Sequence, residues 1–220
     1  MFPLINSQPG DLIFFHRLTS YQNSSSSNFE NAVISSSTLN ADIFHVALLV
    51  EPNIYTIIHS TPTYGVSEQS LREAIKDTQP DYVELCHINL PAAQKLAAVE
   101  WAKQQIGVQY NDIFSPNCLN SKNEKSYYCC QFIDKAYKET NIEKKSIFPP
   151  HKLNFKDASG NFIPYWLDYY NEKCPENPEL PQGEPGSHPS ILRSSTLLEV
   201  LGVYWIKSDT SKVCDTSKVE

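Results

Sequence analysis

The stretch from Ile43 to Ser60 constrains the fold more than any other. Ile43-Phe44-His45-Val46-Ala47-Leu48-Leu49-Val50 is apolar and rich in β-formers, Glu51-Pro52-Asn53 interrupts it, and Ile54 to Ser60 resumes in the same character. Two strand-sized runs joined by so short a link read as an antiparallel hairpin, because a parallel return needs a crossover of a dozen or more residues. The longest uninterrupted apolar run, Val46 to Val50, is far short of the roughly twenty residues a membrane-crossing helix needs, so no transmembrane segment is expected.

The flanking segments extend this sheet. Gln8-Pro9-Gly10-Asp11 reads as a turn leading into a strand at Leu12-Ile13-Phe14-Phe15. Thr61-Pro62-Thr63-Tyr64-Gly65 closes the hairpin, a short strand begins at Gly65-Val66-Ser67, Ser70 to Lys76 reads as a helical turn, and Tyr82 to Leu90 is a further strand. Helices follow. Pro91 suits a first helical position, and Ala93, Leu96, Ala97, Trp101 and Gln104 mark a face that ends near Gly107. Asn111 to Lys125 is polar and turn-rich. Cys129, Phe132, Ile133, Ala136 and Tyr137 then recur at helical spacing between Tyr127 and Thr140. A short helix is expected at Tyr165 to Tyr170 and a last strand at Leu198 to Ile206. The Ser-rich tract from Ser20 to Asn40 reads as a long loop or lid with a short helix around Asn28 to Ile34. Antiparallel hairpins beside a block of helices predict an α+β fold. One domain over residues 1–207 and a loose tail over 208–220 are expected from the length of 220 residues.

Charge and cysteine usage narrow the function classes. Eighteen Lys and Arg against twenty-five Asp and Glu give a net charge of −7, which disfavours nucleic acid or an anionic membrane surface as the main partner. Met1 to Asp11 has no basic region followed by an apolar one, so no secretory leader is visible and the compartment stays open. The cysteines Cys86, Cys118, Cys129, Cys130, Cys174 and Cys214 have neither disulfide-scaffold density nor zinc-ribbon spacing. Cys86-His87 is a conceivable ligand pair, but a half-buried strand position explains it more simply. No metal or other cofactor is expected, and the oligomeric state is not legible.

Three positions carry a chemical argument together. A thiol is a useful nucleophile only as thiolate, and a helix N-terminus favours that form through its unpaired N–H groups and its dipole. Cys129 opens the predicted helix and lies on its apolar stripe, so its sulfur is directed toward the sheet. Cys130, about 100° further round, falls nearer the flank with Asp134 and Tyr137. His45, on a facing strand, is the candidate base, and His59 on the next strand is the candidate orienting group. The two histidines share a face only for one parity of the connection. A three-residue loop at Glu51-Pro52-Asn53 pairs His45 with His59, whereas a two-residue turn at Pro52-Asn53 pairs His45 with Ser60. The residues permit both. His16 and His151 have no sequence argument that places them at the site.

These segments resemble a known family. Phe44-His45-Val46-Ala47-Leu48-Leu49-Val50, then Ile57-Ile58-His59-Ser60-Thr61 and Tyr64-Gly65-Val66, resemble the two histidine strands of NlpC-type papain-like cysteine peptidases. Pro9-Gly10-Asp11-Leu12-Ile13-Phe14 matches the strand that precedes them. Tyr127-Tyr128-Cys129-Cys130-Gln131-Phe132-Ile133 resembles the nucleophile helix of the circularly permuted, YiiX-like branch, in which the histidines come before the cysteine as they do here. Gly107 to Phe114, and the run from Asn154 to Pro189, are similar to neighbouring segments of that branch. The resemblance implies an antiparallel sheet or half-barrel packed against helices, Cys129 as nucleophile, His45 as base and His59 as third member. Tyr128 stands where ordinary members have aspartate, so recognition of a free peptide amine is not implied.

The expected activity is a thiol hydrolase that cleaves an amide in a peptide or cell-wall-type peptide through an acyl-enzyme. The alternative is a lipid acyl hydrolase or acyltransferase similar to lecithin:retinol acyltransferase-like enzymes, whose asparagine-cysteine signature occurs here as Asn117-Cys118, before a segment too polar for an apolar-faced helix. A non-catalytic binding module is the third reading. The partner is thus a peptide or an acyl small molecule, and the aromatic segment Phe148 to Tyr170 either packs a core or covers an acyl chain.

Overall fold

The computed structural model describes residues 6–18 and 29–206. The expected tail over 208–220 and the Ser-rich part of the expected lid lie outside them. A six-stranded antiparallel sheet is formed by β1 (Leu12–His16), β2 (Ile43–Glu51), β3 (Thr56–Thr61), β4 (Gly65–Ser70), β5 (Tyr82–Ile88) and the last strand, β10 (Leu198–Trp205), in the spatial order β10-β5-β1-β2-β3-β4. Between these run α1 (Phe29–Ser35), α2 (Leu71–Thr78), α3 (Ala92–Lys103), α4 (Cys129–Thr140), α5 (Pro164–Lys173) and α6 (Pro189–Arg193). Two-residue strands β6 (Gln109–Tyr110) and β7 (Ser126–Tyr127) pair in parallel, and β8 (His151–Lys152) pairs with β9 (Pro185–Gly186). The α+β expectation is met.

The unbroken apolar run of β2 has a plain cause. Every residue from Ile43 to Val50 is buried, because β2 is central and both faces of the sheet are covered. On one face Leu12, Phe14, Val46, Leu48 and Ile58 meet α3 and α4; on the other Ile13, Phe15, Ala47, Leu49 and Ile57 meet Ile34 of α1 and Leu71 and Ala74 of α2.

The hairpin between β2 and β3 differs from both expected forms. Pro52–Ile54 makes a 3-10 turn that ends on Tyr55 in the left-handed region, φ 58°. Four residues therefore separate Glu51 from its partner Thr56, a parity that would set the histidines on opposite faces. A β-bulge at Val50 reverses this: Leu49 pairs with Ile57 and Leu48 with Ile58. Continued along the strands, this register puts His59 opposite Ala47 and diagonal to His45. Among the described residues, ladder pairing of β2 with β3 stops at Leu48 and Ile58, and beyond it the strands part.

Helix α4 is fixed beside that parting. Ser60 Oγ donates to the Tyr127 carbonyl across 2.6 Å, and Asn111 Nδ2 donates to Gln131 Oε1 across 2.9 Å. At the other end of the helix, Tyr137 donates to the Gly10 carbonyl. Gly10 has φ 92°, and a Cβ there would come within 2.6 Å of the Lys95 Cβ, so α3 rests directly on this turn. The following residue, Asp11, is fully buried and accepts from the Gln8 amide at 2.8 Å and from Lys95 Nζ at 3.3 Å. The sequence run Pro-Gly-Asp thus ties β1 to both α3 and α4.

Candidate active site

The helix that bears the expected nucleophile begins on it. Tyr128 is the N-cap, extended at φ −89° and ψ 166°, and supplies no side-chain cap, so Cys129 is the first helical residue and the first-turn N–H groups have no intrahelical partner. The Cys129 side chain opens into a cavity of about 300 Å³ that His45 and His59 also line. His45 Nε2 lies 2.9 Å from His59 Nδ1, and His59 Nε2 lies 2.8 Å from Gln69 Oε1. The Phe15 ring packs edge-on against the His45 imidazole, centroids 5.2 Å apart, and holds its tilt. Because His59 occupies Nε2 of His45, Nδ1 is the nitrogen left for the thiol.

The electrostatics separate the two cysteines. Cys129 and Cys130 have their sulfurs 3.7 Å apart. The Cys129 thiol is held well below its ordinary pKa, first by the Cys130 S–H, which donates to its thiolate, then by the His45 imidazole and the Cys130 backbone amide, against the opposing effect of burial. Cys130 is pushed well above its ordinary value by burial and by the Cys129 charge. The expectation that Cys130 would sit near the flank is corrected: it is 1% exposed, belongs to the same core cluster as Cys129 and lines the same cavity. Burial and the neighbouring His45 take His59 down to about 3, with Gln69 opposing, so His59 is a neutral imidazole at neutral pH.

Other candidates are placed elsewhere. Cys118 sits in a turn at φ 57°, half-buried with its thiol raised by burial, and does not line the cavity. His16 bonds Asp42 at 3.0 Å, and His87 approaches buried Asp11 at 3.0 Å beside Lys95. His151 does line the cavity, with its pKa lowered by burial. Among the described residues no three His, Cys, Asp or Glu side chains converge as metal donors. Tyr128, in the place of the aspartate, accepts through its hydroxyl from the Ser187 amide at 2.8 Å.

Of the cavity wall, sequence reading missed Phe114; Phe29 and Val33 lie in the short helix of the expected lid, and Leu153, Phe155 and Trp166 in the aromatic segment. Phe29 and Val33 of α1 form one side; Phe114, Leu153, Phe155 and Trp166 form another, and most of the wall is carbon. Part of the aromatic segment after Phe148 packs into the core, as one of its two expected readings had it, and its Leu153, Phe155 and Trp166 also line the cavity. His188 is buried, with Nε2 3.0 Å from the Val33 carbonyl and Nδ1 accepting from the Ser190 amide, and its pKa falls to about 4 by burial. Gln69 was also missed. Its signal was the alternation of β4: Ser67 pairs with His59, so Gln69 stands two residues on, diagonal to His59.

Comparison with known proteins bears on the fold and the family. No curated protein matches the chain. A solved structure, that of the metalloprotein YiiX from Escherichia coli O157:H7, superposes with a TM-score of 0.65 at 20% identity, covering 92% of this chain and 100% of that one. The shared architecture is the permuted papain-like fold. Residues 6–200 match the family described as permuted papain-like amidase enzyme, YaeF/YiiX, C92. With the histidine strands ahead of the cysteine helix and nearly the whole described chain inside that match, the protein belongs to the permuted papain-like amidases of the YaeF/YiiX family.

Proposed function

We propose that this protein is a cysteine amide hydrolase that works through an acyl-enzyme, with Cys129 as nucleophile, His45 as general base and acid, and His59 as orienting residue. The observation that carries the reading is the His45–His59 hydrogen bond of 2.9 Å beside a thiol at the first position of α4. The Cys129 thiolate attacks the carbonyl carbon and forms the C–S bond while the carbonyl oxygen takes the negative charge. First-turn amides of α4, that of Cys129 included, are placed to stabilise it. Collapse breaks the C–N bond, and His45 gives its proton from Nδ1 to the departing amine. Water, deprotonated by His45, then attacks the thioester carbonyl and releases the acid and the thiolate.

The carbon-rich wall favours a second reading on the same triad, in which the acyl group is a long aliphatic or aromatic one. A fused cluster of Phe29, Phe114, Phe155 and Trp166 offers a large surface for an apolar group.

Both readings are tested by iodoacetamide alkylation of Cys129 across pH, followed on the labelled peptide, and by turnover of paired short-peptide and long-chain acyl amides and esters. The expected outcome is rapid alkylation well below pH 8 and turnover that Cys129→Ala abolishes. Alkylation that rises only above pH 8, with no turnover, would leave a binding module. Preference for long-chain acyl groups would decide for the second reading.

A further inference from the structure

The polar chain that begins at Cys129 continues past the third member. Gln69 Oε1 lies 2.8 Å from His59 Nε2, and Gln69 Nε2 donates to Asp77 Oδ2 at 3.2 Å. Local structure explains why Asp77 is there. Ser70 ends β4 and caps α2 through a capping box with Glu73, its side chain accepting from the Glu73 amide while the Glu73 carboxylate accepts from the Ser70 amide. The turn between β4 and α2 has no slack, so the second turn of the helix comes back over Gln69.

This chain has a direction. A carboxylate only accepts, so Asp77 takes the amide N–H of Gln69 and turns the Gln69 carbonyl oxygen toward His59. That oxygen also only accepts, which puts the His59 proton on Nε2 and leaves Nδ1 bare. Nδ1 then accepts from His45 Nε2–H, and the one free lone pair on His45 is at Nδ1, toward Cys129. Every bond follows from the one before.

We propose that Gln69 and Asp77 are positioning residues of the site, which set the tautomers of His59 and His45 so that the base presents a bare nitrogen to the Cys129 thiol. The proposal rests on the triad reading above. Neither residue touches the reacting atoms. Gln69 is half-buried on the edge strand and Asp77 is exposed on α2, so both can be changed without opening the core. The other titratable groups lining the cavity are Glu30 of α1, Tyr64, Tyr110, Tyr128, Cys130, His151 and His188, and the neighbouring charges are Glu68 on β4 and Arg72, Glu73 and Lys76 on α2; all stay constant in the test.

The test inverts the direction and then restores it. Lysine only donates, so Asp77→Lys draws the Gln69 carbonyl to itself, turns the Gln69 amine toward His59, and places a proton on the His45 nitrogen that faces Cys129. The pH midpoint of Cys129 alkylation should rise by about one unit, roughly a tenfold loss of rate at pH values below the parent's midpoint. Gln69→Leu, which removes the acceptor, should shift it in the same direction. Adding Gln69→Glu to Asp77→Lys gives a group that accepts from His59 and pairs with the new lysine, and the midpoint should return close to that of the parent. A bystander pair would not show this rescue, and the shift in Gln69→Leu, which changes no charge, separates tautomer control from an effect of charge alone. An unchanged midpoint in Asp77→Lys, or a double variant as shifted as the single one, overturns the proposal and leaves the triad standing. A parent protein whose Cys129 reacts only above pH 8 overturns the triad and the proposal with it. Circular dichroism confirms folding, and the two Asp77→Lys proteins decide the matter even if Gln69→Leu does not fold.

Discussion

His45 Nε2 and His59 Nδ1 are 2.9 Å apart although neither residue stands opposite the other on the sheet. They meet on a diagonal, across the point where β2 and β3 stop pairing, and the N-terminus of α4 occupies the neighbouring space. A diagonal contact needs two long side chains leaning toward each other along the strands, which imidazoles with complementary nitrogens satisfy. The sizes of the effects of mutation follow from this geometry.

Cys129→Ala should lower turnover of any amide substrate at least about a thousandfold, since it removes the atom that forms the acyl-enzyme. Cys130→Ser should stay within about tenfold of the parent because a hydroxyl still donates to the thiolate. Cys130→Ala lacks that donor and should move the Cys129 alkylation midpoint upward. Turnover lost in Cys130→Ala and kept in Cys129→Ala would transfer the nucleophile to Cys130.

His45→Ala should cost about 10³-fold in kcat, within the span expected for a lost general base. His59→Ala leaves the base in place without its orienting acceptor and should cost less, about 10- to 100-fold. His59→Asn, with a carbonyl to accept from His45, should recover part of it. Equal losses in both alanine variants, measured by steady-state kinetics, would mean that His59 takes part in the chemistry itself.

The buried pair of Lys95 and Asp11 belongs to stability rather than catalysis. Lys95 is 1% exposed and Asp11 fully buried, with Nζ 3.3 Å from Oδ1. Lys95→Met leaves the carboxylate with backbone amides and His87 alone, and should destabilise the protein by about 3–5 kcal/mol, read as a lower urea midpoint. The Cys129 alkylation midpoint should not move, because this pair lies behind β1 and outside the cavity.

Stability should fall on mild acidification. His59 and His188 have folded-state pKa values of about 3 and about 4, below the ordinary 6.5. Below 6.5 the unfolded chain binds protons at these positions and the folded chain does not, so protonation favours unfolding. Their contribution is complete above pH 6.5 and is lost as pH falls toward 4 and then 3. Each adds a slope approaching ~1.4 kcal/mol per pH unit in its window. Urea titrations at pH 7, 6, 5 and 4 should show the decline, and His188→Gln should flatten it.

Much of the chain's organisation is set locally and was readable as such. The strand at Ile43 to Glu51 follows from a β-branched apolar run that only a doubly covered strand can bury, and α4 from apolar residues at helical spacing with Cys129 at their head. The order of histidines before cysteine, a property of sequence alone, separates the permuted arrangement from the ordinary one. What needed the folded chain was parity and convergence. Whether His45 and His59 meet depends on one bulged residue, Val50, and a bulge is decided by cross-strand hydrogen bonding and packing, which leave no trace in a strand's own residue pattern. Gln69, Asp77, Phe114 and His188 are distant in sequence, and each has an ordinary local reading as a strand, helix or turn residue. They become a site only because the sheet edge, the capped turn into α2 and the segment after α4 are brought against the same helix end, and that proximity is a product of long-range burial.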